Sequence, residues 1–208
     1  MIKDMNTKEL LNLTSRGTIW NLGNEMLYRL CRDYPDHKSA EVITAKVWLI
    51  GRSYAAAIER GRTTEEDGDS FYESRVVPKI QASHLDEHLD KVKQFSEISS
   101  ESIPMILKTH KYLTDLFAKI SGKDKRSLAS KYLHFHCPSL FFIYDSRAVR
   151  GSRALYPRFR SEIPTEKVDH EYAKFFLRMV QLRDVIQIKE DRLLSTREID
   201  NILINIGS

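Results

Sequence analysis

Cysteine is nearly absent from this chain: Cys31 and Cys137 are the only two in 208 residues. Two cysteines cannot build the disulfide framework that holds a small secreted domain together. Glycine (eight) and proline (six) are also scarce, which excludes collagen-like, linker-like and low-complexity architectures. No run of 18 apolar residues occurs, so no membrane-spanning helix is expected. The opening MIKDMNTKEL lacks the apolar centre of a secretory signal. The economical expectation is a cytoplasmic protein, monomeric and away from the membrane. Charged residues make up 30% and hydrophobic ones 41%, the balance of a globular chain rather than a disordered one. The length allows one good core or two small lobes.

What the chain does have is helical periodicity, with no sustained alternation of the kind a strand ladder needs. Residues 1 to about 34 read as short helices ending before Pro35, and Ser39 is placed to cap a long helix reaching about Arg60. Gly61 to Ser70 reads as a polar loop, and Phe71 to about Phe95 as helix interrupted near Pro78. Ser102-Ile103-Pro104 opens a helix to about Ile120. A long helix is expected from about Lys167 to Gln187, and Ser195 is placed to cap the last one. The fold class is all-α.

One stretch stands apart. From Lys119 to Arg160 there are ten basic residues and two acidic ones, a local net charge of +8 in a chain whose total is +4. Everything else therefore sums to −4. Clustered Lys and Arg are the footprint of a polyanionic ligand. Inside this stretch an amphipathic helix runs from Ser127 to about His136, breaks at Cys137-Pro138, and gives way to Leu140-Phe141-Phe142-Ile143-Tyr144 and then Asp145. A carboxylate directly after an apolar run needs a partner or a chemical role. Asp145 also sits where it can cap a helix beginning at Ser146. Both readings stay open at this level.

These residues resemble the core of the helix-hairpin-helix DNA glycosylases, a superfamily that includes endonuclease III, the adenine glycosylases and the 8-oxoguanine glycosylases. Gly122 marks the hairpin, Leu128-Ala129 opens the following helix, Pro138 lies in the loop, and Phe142-Ile143-Tyr144-Asp145 ends the apolar run, sixteen residues after Ala129. The chain departs from the pattern at the hairpin itself, Ile120-Ser121-Gly122-Lys123-Asp124, which has one glycine and no proline. The resemblance implies two helical lobes with a cleft between them within a single domain, one lobe from about 38 to 138 and the other from 1–37 plus 139–208. It implies double-stranded DNA carrying a modified base as partner, no cofactor and no metal. The expected reaction is hydrolysis of the N-glycosidic bond to leave an abasic site. The substrate class it implies is an oxidised purine or, as in anti-phage glycosylases of similar size, a hypermodified phage cytosine.

On that reading Asp145 stabilises the positive charge that develops on the deoxyribose or orients a water. Lys123, Lys125, Arg126, Ser127, Arg147, Arg150 and Arg153 are the expected DNA-binding residues. The lyase members carry an amine eighteen residues before the aspartate, and that position here is Ser127, so a monofunctional enzyme is expected. Lys131 lies one turn further along the same face and is a second catalytic candidate. Arg52, Tyr54, Tyr132, Phe142 and Tyr144 are candidates for a base pocket, although each also fits a core. Two alternatives come from other classes. One is a non-catalytic DNA-binding module in which Asp145 only caps. The other is a metal-dependent hydrolase built on His84-x-x-Glu87-His88, whose histidines stand at i and i+4.

Overall fold

The computed structural model describes residues 6–15, 19–60, 68–156 and 167–208. The expected polar loop from Gly61 falls largely outside these residues, as do Arg158 and Arg160. The described residues contain eleven α-helices and one π-helical turn, with no strand among them. They are α1 (Thr7–Asn12), α2 (Asn21–Asp33), α3 (Ala40–Ser53), α4 (Gly68–Phe71), the π turn (Tyr72–Val76), α5 (Val77–Gln81), α6 (Leu85–Val92), α7 (Ile103–Ser121), α8 (Arg126–His136), α9 (Ser146–Leu155), α10 (His170–Glu190) and α11 (Thr196–Ile206).

Most of these boundaries have a local cause. Ser39 accepts from the Val42 amide and starts α3, Asp169 does the same for α10 through Tyr172, and Ser195 with Glu198 forms a reciprocal capping box on α11. Gly122 ends α7 in the left-handed region at φ 74°, a conformation glycine adopts without strain. The four residues Gly122 to Lys125 then lead the chain into α8.

Two expectations are corrected. α3 stops at Ser53, not Arg60: Ala55 takes φ 50°, and the Ala56 amide folds back onto the Gly51 carbonyl at 2.7 Å. Gly51 permits this because a Cβ there would lie 3.1 Å from the Ala57 Cα. The stretch from Phe71 is not one interrupted helix but α4, the π turn, α5 and α6 in succession, and Pro78 lies in the first turn of α5 rather than breaking it.

The core is organised around α8. Every residue from Leu128 to Cys137 is buried, because α8 packs on α2, α3 and α7 at once. The run Leu140 to Ile143 continues this burial in non-helical form, each residue at most 1% exposed. Buried non-helical backbone must find hydrogen-bond partners, and side chains supply them. His134 Nδ1 is 2.8 Å from the Phe141 carbonyl, the Tyr172 hydroxyl donates to the Phe142 carbonyl at 3.0 Å, and the Tyr144 amide donates to Ser130 Oγ at 3.0 Å. α8 and α10 thereby hold the run in place, and with it the position of Asp145.

Beyond that run, α9 packs on α11 and α10. The α9–α11 contact is backbone against backbone. A Cβ on Gly151 would lie 2.3 Å from the Leu203 carbonyl oxygen, and one on Gly207 would lie 2.1 Å from that of Arg147. Arg150 completes the clamp by donating through Nε (3.0 Å) and Nη2 (2.7 Å) to the Gly207 carbonyl. Among the described residues no helix is long and apolar enough to cross a membrane.

Candidate active site

A cavity of about 750 Å³ opens where the N-terminus of α9, the start of α2, the end of α3 and one face of α11 meet; its wall includes Trp20, Asn24, Tyr54, Asp145, Arg197 and Asn201. Asp145 reaches it as the capping residue of α9, its Oδ1 accepting the Ala148 amide at 2.8 Å. The cap occupies one carboxylate oxygen and fixes the side chain, while the residue remains part of the cavity wall. Arg147, exposed on the first turn of α9, lies on the same wall.

Lys131 lies beneath this wall. It is 2% exposed, and its ammonium donates to Ser127 Oγ at 2.7 Å and to the Tyr54 carbonyl at 3.4 Å. Burial lowers its pKa from the ordinary lysine value; Asp145 and Asp200 pull the other way, and Arg147 adds to the lowering. A buried amine whose charged form burial disfavours, in the field of two carboxylates, is a chemically useful group. Ser127 thus holds Lys131 and is not a bare phosphate contact. The same-face relationship of the two residues, expected from one turn of helix, is observed.

Asp200 on α11 is the second carboxylate. Its side chain is 1% exposed and accepts from Arg197 Nη1 at 3.0 Å. Its Oδ1 is buried without a partner. Burial pushes its pKa up to about 7; Arg197, Lys131 and Arg147 oppose that rise and Asp145 adds to it. Burial also works against the charge on Arg197, but Asp200, Tyr54 and Tyr28 outweigh it and hold the guanidinium above its ordinary value. Arg197 Nη1 donates as well to the Tyr54 hydroxyl at 3.2 Å, and that hydroxyl donates to Asn24 Oδ1 at 2.7 Å. Tyr54 is therefore the hub of the site.

The structure brings together Asp145, Lys131, Ser127, Tyr54 and Arg147 from the residues singled out in the sequence. Others are placed elsewhere. Tyr132 and Phe142 are core residues, 0% and 1% exposed, with the Tyr132 hydroxyl 2.7 Å from His37 Nε2. Arg52 turns outward to an ion pair with Glu59. Tyr144 is half-buried under the Arg126 guanidinium, 5.7 Å from the ring centre, and is not on the cavity wall.

The basic stretch divides in the same way. Lys125 is tied to the Arg60 carbonyl at 2.7 Å. Arg126 is tied to Asp169 at 2.7 and 2.8 Å and to Asp124 at 3.0 Å, and Arg150 to Gly207. Lys123, Arg147 and Arg153 are exposed, with no ion pair or hydrogen bond from their side chains among the described residues. The hairpin amides are partly used internally, Gly122 to the Ala118 carbonyl and Lys123 to Ser121 Oγ.

The metal alternative finds no support in the geometry. His84 precedes α6 as its capping residue and pairs with Glu87 at 2.8 Å, while His88 stacks on Tyr112 with ring centres 4.0 Å apart. No group of three or more His, Cys, Asp or Glu among the described residues could hold a metal ion. His134 is committed to Tyr28 and the Phe141 carbonyl.

Asn24, Arg197, Asp200 and Asn201 were not singled out in the sequence. One of them left a signal. Asp200 falls in the buried register of α11 with Thr196, Ile199 and Leu203, and a carboxylate on an apolar face calls for a partner. The others lie far from Asp145 in the chain and leave no comparable pattern. Compared with known proteins, the chain matches no family, no curated protein and no solved structure.

Proposed function

We propose that the protein is a DNA glycosylase that hydrolyses the N-glycosidic bond of a modified base. The observation that carries this reading is the placement of Asp145: a carboxylate fixed by its own helix cap on the wall of a cavity with room for an extruded base, and with a buried amine behind it. An extruded base occupies the cavity and the sugar C1′ faces Asp145. As the C1′–N bond breaks, its electron pair leaves with the base and the carboxylate stabilises the positive charge on the sugar. A water oxygen bonds to C1′, and the proton it sheds balances the charge on the departing base. Exposed Arg147, Arg153 and Lys123 supply phosphate contacts, which position the duplex without reading sequence.

The non-catalytic module is the second reading, and the Asp145 cap is the observation in its favour. Incubating the protein with duplexes carrying single modified bases, followed by alkaline cleavage of abasic sites, separates the two. Strand scission with at least one base supports the glycosylase. DNA binding without scission on a panel of oxidised, deaminated and glucosylated bases supports the module.

A further inference from the structure

The polar wall of the cavity has a fixed hydrogen-bonding polarity, and that polarity specifies the edge of the ligand. Arg197 can only donate. Nη1 spends its two hydrogens on Asp200 Oδ2 and the Tyr54 hydroxyl, so that hydroxyl must direct its own hydrogen to Asn24 Oδ1. The amide of Asn24 is thereby oriented, and its NH2 is left for the cavity. Arg197 keeps Nε and Nη2, neither of which is sealed from solvent. One turn along α11 the opposite holds. Asn201 donates its NH2 to the Thr14 carbonyl at 2.8 Å, which can only accept, so Asn201 presents its carbonyl oxygen. The wall therefore offers donors at Arg197 and Asn24 and an acceptor at Asn201. The indole of Trp20, 66% exposed, supplies an aromatic face at the same cavity.

We infer that this wall selects a planar ring with a lactam edge, a carbonyl beside an N–H, stacked on Trp20 with its carbonyl toward Arg197 and Asn24 and its N–H toward Asn201. Resting on the glycosylase reading, the class is an oxo-base of the uracil, hypoxanthine or guanine type. Adenine and cytosine carry an amidine edge in its place, with an amino donor where the wall already donates and a bare ring nitrogen beside it. Donors facing donors, cut off from water once the ring covers them, discriminate strongly. Asp200 acts here as a positioning residue, holding Arg197 so that its Nε and Nη2 point into the cavity.

The test uses the whole protein and each base as its 2′-deoxynucleoside, in which the sugar blocks the N1 or N9 edge. The Trp20 indole N–H is followed by proton–nitrogen NMR, assigned with Trp48→Phe, during titration with the deoxynucleosides of uracil, hypoxanthine, cytosine and adenine. Uracil and hypoxanthine are expected to shift the resonance at concentrations at least tenfold lower than cytosine and adenine. Asn24→Leu and the charge-neutral pair Arg197→Met with Asp200→Asn are each expected to erase that preference, with folding checked by the rest of the spectrum. Equal binding of all four bases, preference for the amidine pair, or an unmoved indole overturns the inference. Failure here leaves base release from DNA to be judged by its own assay. Lactam-selective binding without release from any duplex sustains the inference and removes the glycosylase reading.

Discussion

The Lys131 ammonium lies 2.7 Å from the Ser127 hydroxyl, one turn back on a helix whose residues from Leu128 onward are all buried. The position that carries the amine in lyase members of the resembling superfamily is thus filled by a group that binds the amine of the next turn. Base release is expected without a covalent intermediate, so borohydride should trap no protein–DNA adduct. An adduct that forms with wild type and vanishes with Lys131→Ala would make Lys131 the nucleophile and the enzyme bifunctional.

Asp200 makes stability depend on pH in a stated direction. Its folded pKa of about 7 lies above the ordinary carboxylate value near ~4. The stability it contributes is therefore fully present below about pH 4 and is lost as pH rises through about 7. Asp200→Asn keeps an acceptor for Arg197 and removes the titration. The variant is expected to gain on wild type by roughly 2–4 kcal/mol between pH 5 and pH 8.5, read from urea midpoints. A difference that does not change with pH would contradict the burial argument.

The α9–α11 contact admits no side chain at Gly151. Gly151→Ala sets a methyl against the Leu203 carbonyl and must push the helices apart, costing about 2 kcal/mol or more. Because α9 carries Asp145, catalytic loss is expected to exceed what the fraction unfolded explains. A Tm within about 1 °C of wild type would show that the contact yields cheaply, where roughly 1 kcal/mol corresponds to several degrees in a domain of this size.

The basic residues should separate by function. Arg147→Ala with Arg153→Ala is expected to flatten the salt dependence of duplex binding by one to two units of log–log slope, since each phosphate contact contributes about 0.9. Arg150→Ala, which removes two charge-assisted bonds to the Gly207 carbonyl, is expected instead to lower stability by about 1.5–3 kcal/mol with little change in slope. The reverse pattern would mean that the docking face is misplaced.

Much of the frame was legible in the sequence because its causes are local. Ser39, Ser195, Pro104 and Gly122 carry their helix boundaries in their own chemistry, and the apolar run before Asp145 announces the break between α8 and α9. The resemblance pointed to Ser127, and helical spacing then put Lys131 on the same face. The far wall of the site was not legible. Arg197, Asn201 and Asn24 acquire meaning only when α11 and α2 fold against Tyr54, across separations of 143 residues for Arg197 and 30 for Asn24. The density of Lys and Arg overstated the docking face for a related reason. Counting charge cannot show that Arg126 and Arg150 spend theirs on Asp169 and a carbonyl.

The central claim is that Asp145 performs chemistry and does not merely cap α9. Asparagine caps a helix about as well as aspartate, whereas alanine forfeits about 0.5–2 kcal/mol. Asp145→Asn therefore removes the charge and keeps the cap. The decisive measurement is single-turnover base release by wild type and Asp145→Asn on the same modified duplex, with Tm and duplex affinity recorded in parallel. The expected result is a fall of about 10²–10³-fold or more in release, with Tm retained and binding equal or tighter as repulsion with phosphate is relieved. Release at the wild-type rate by the folded variant would contradict it.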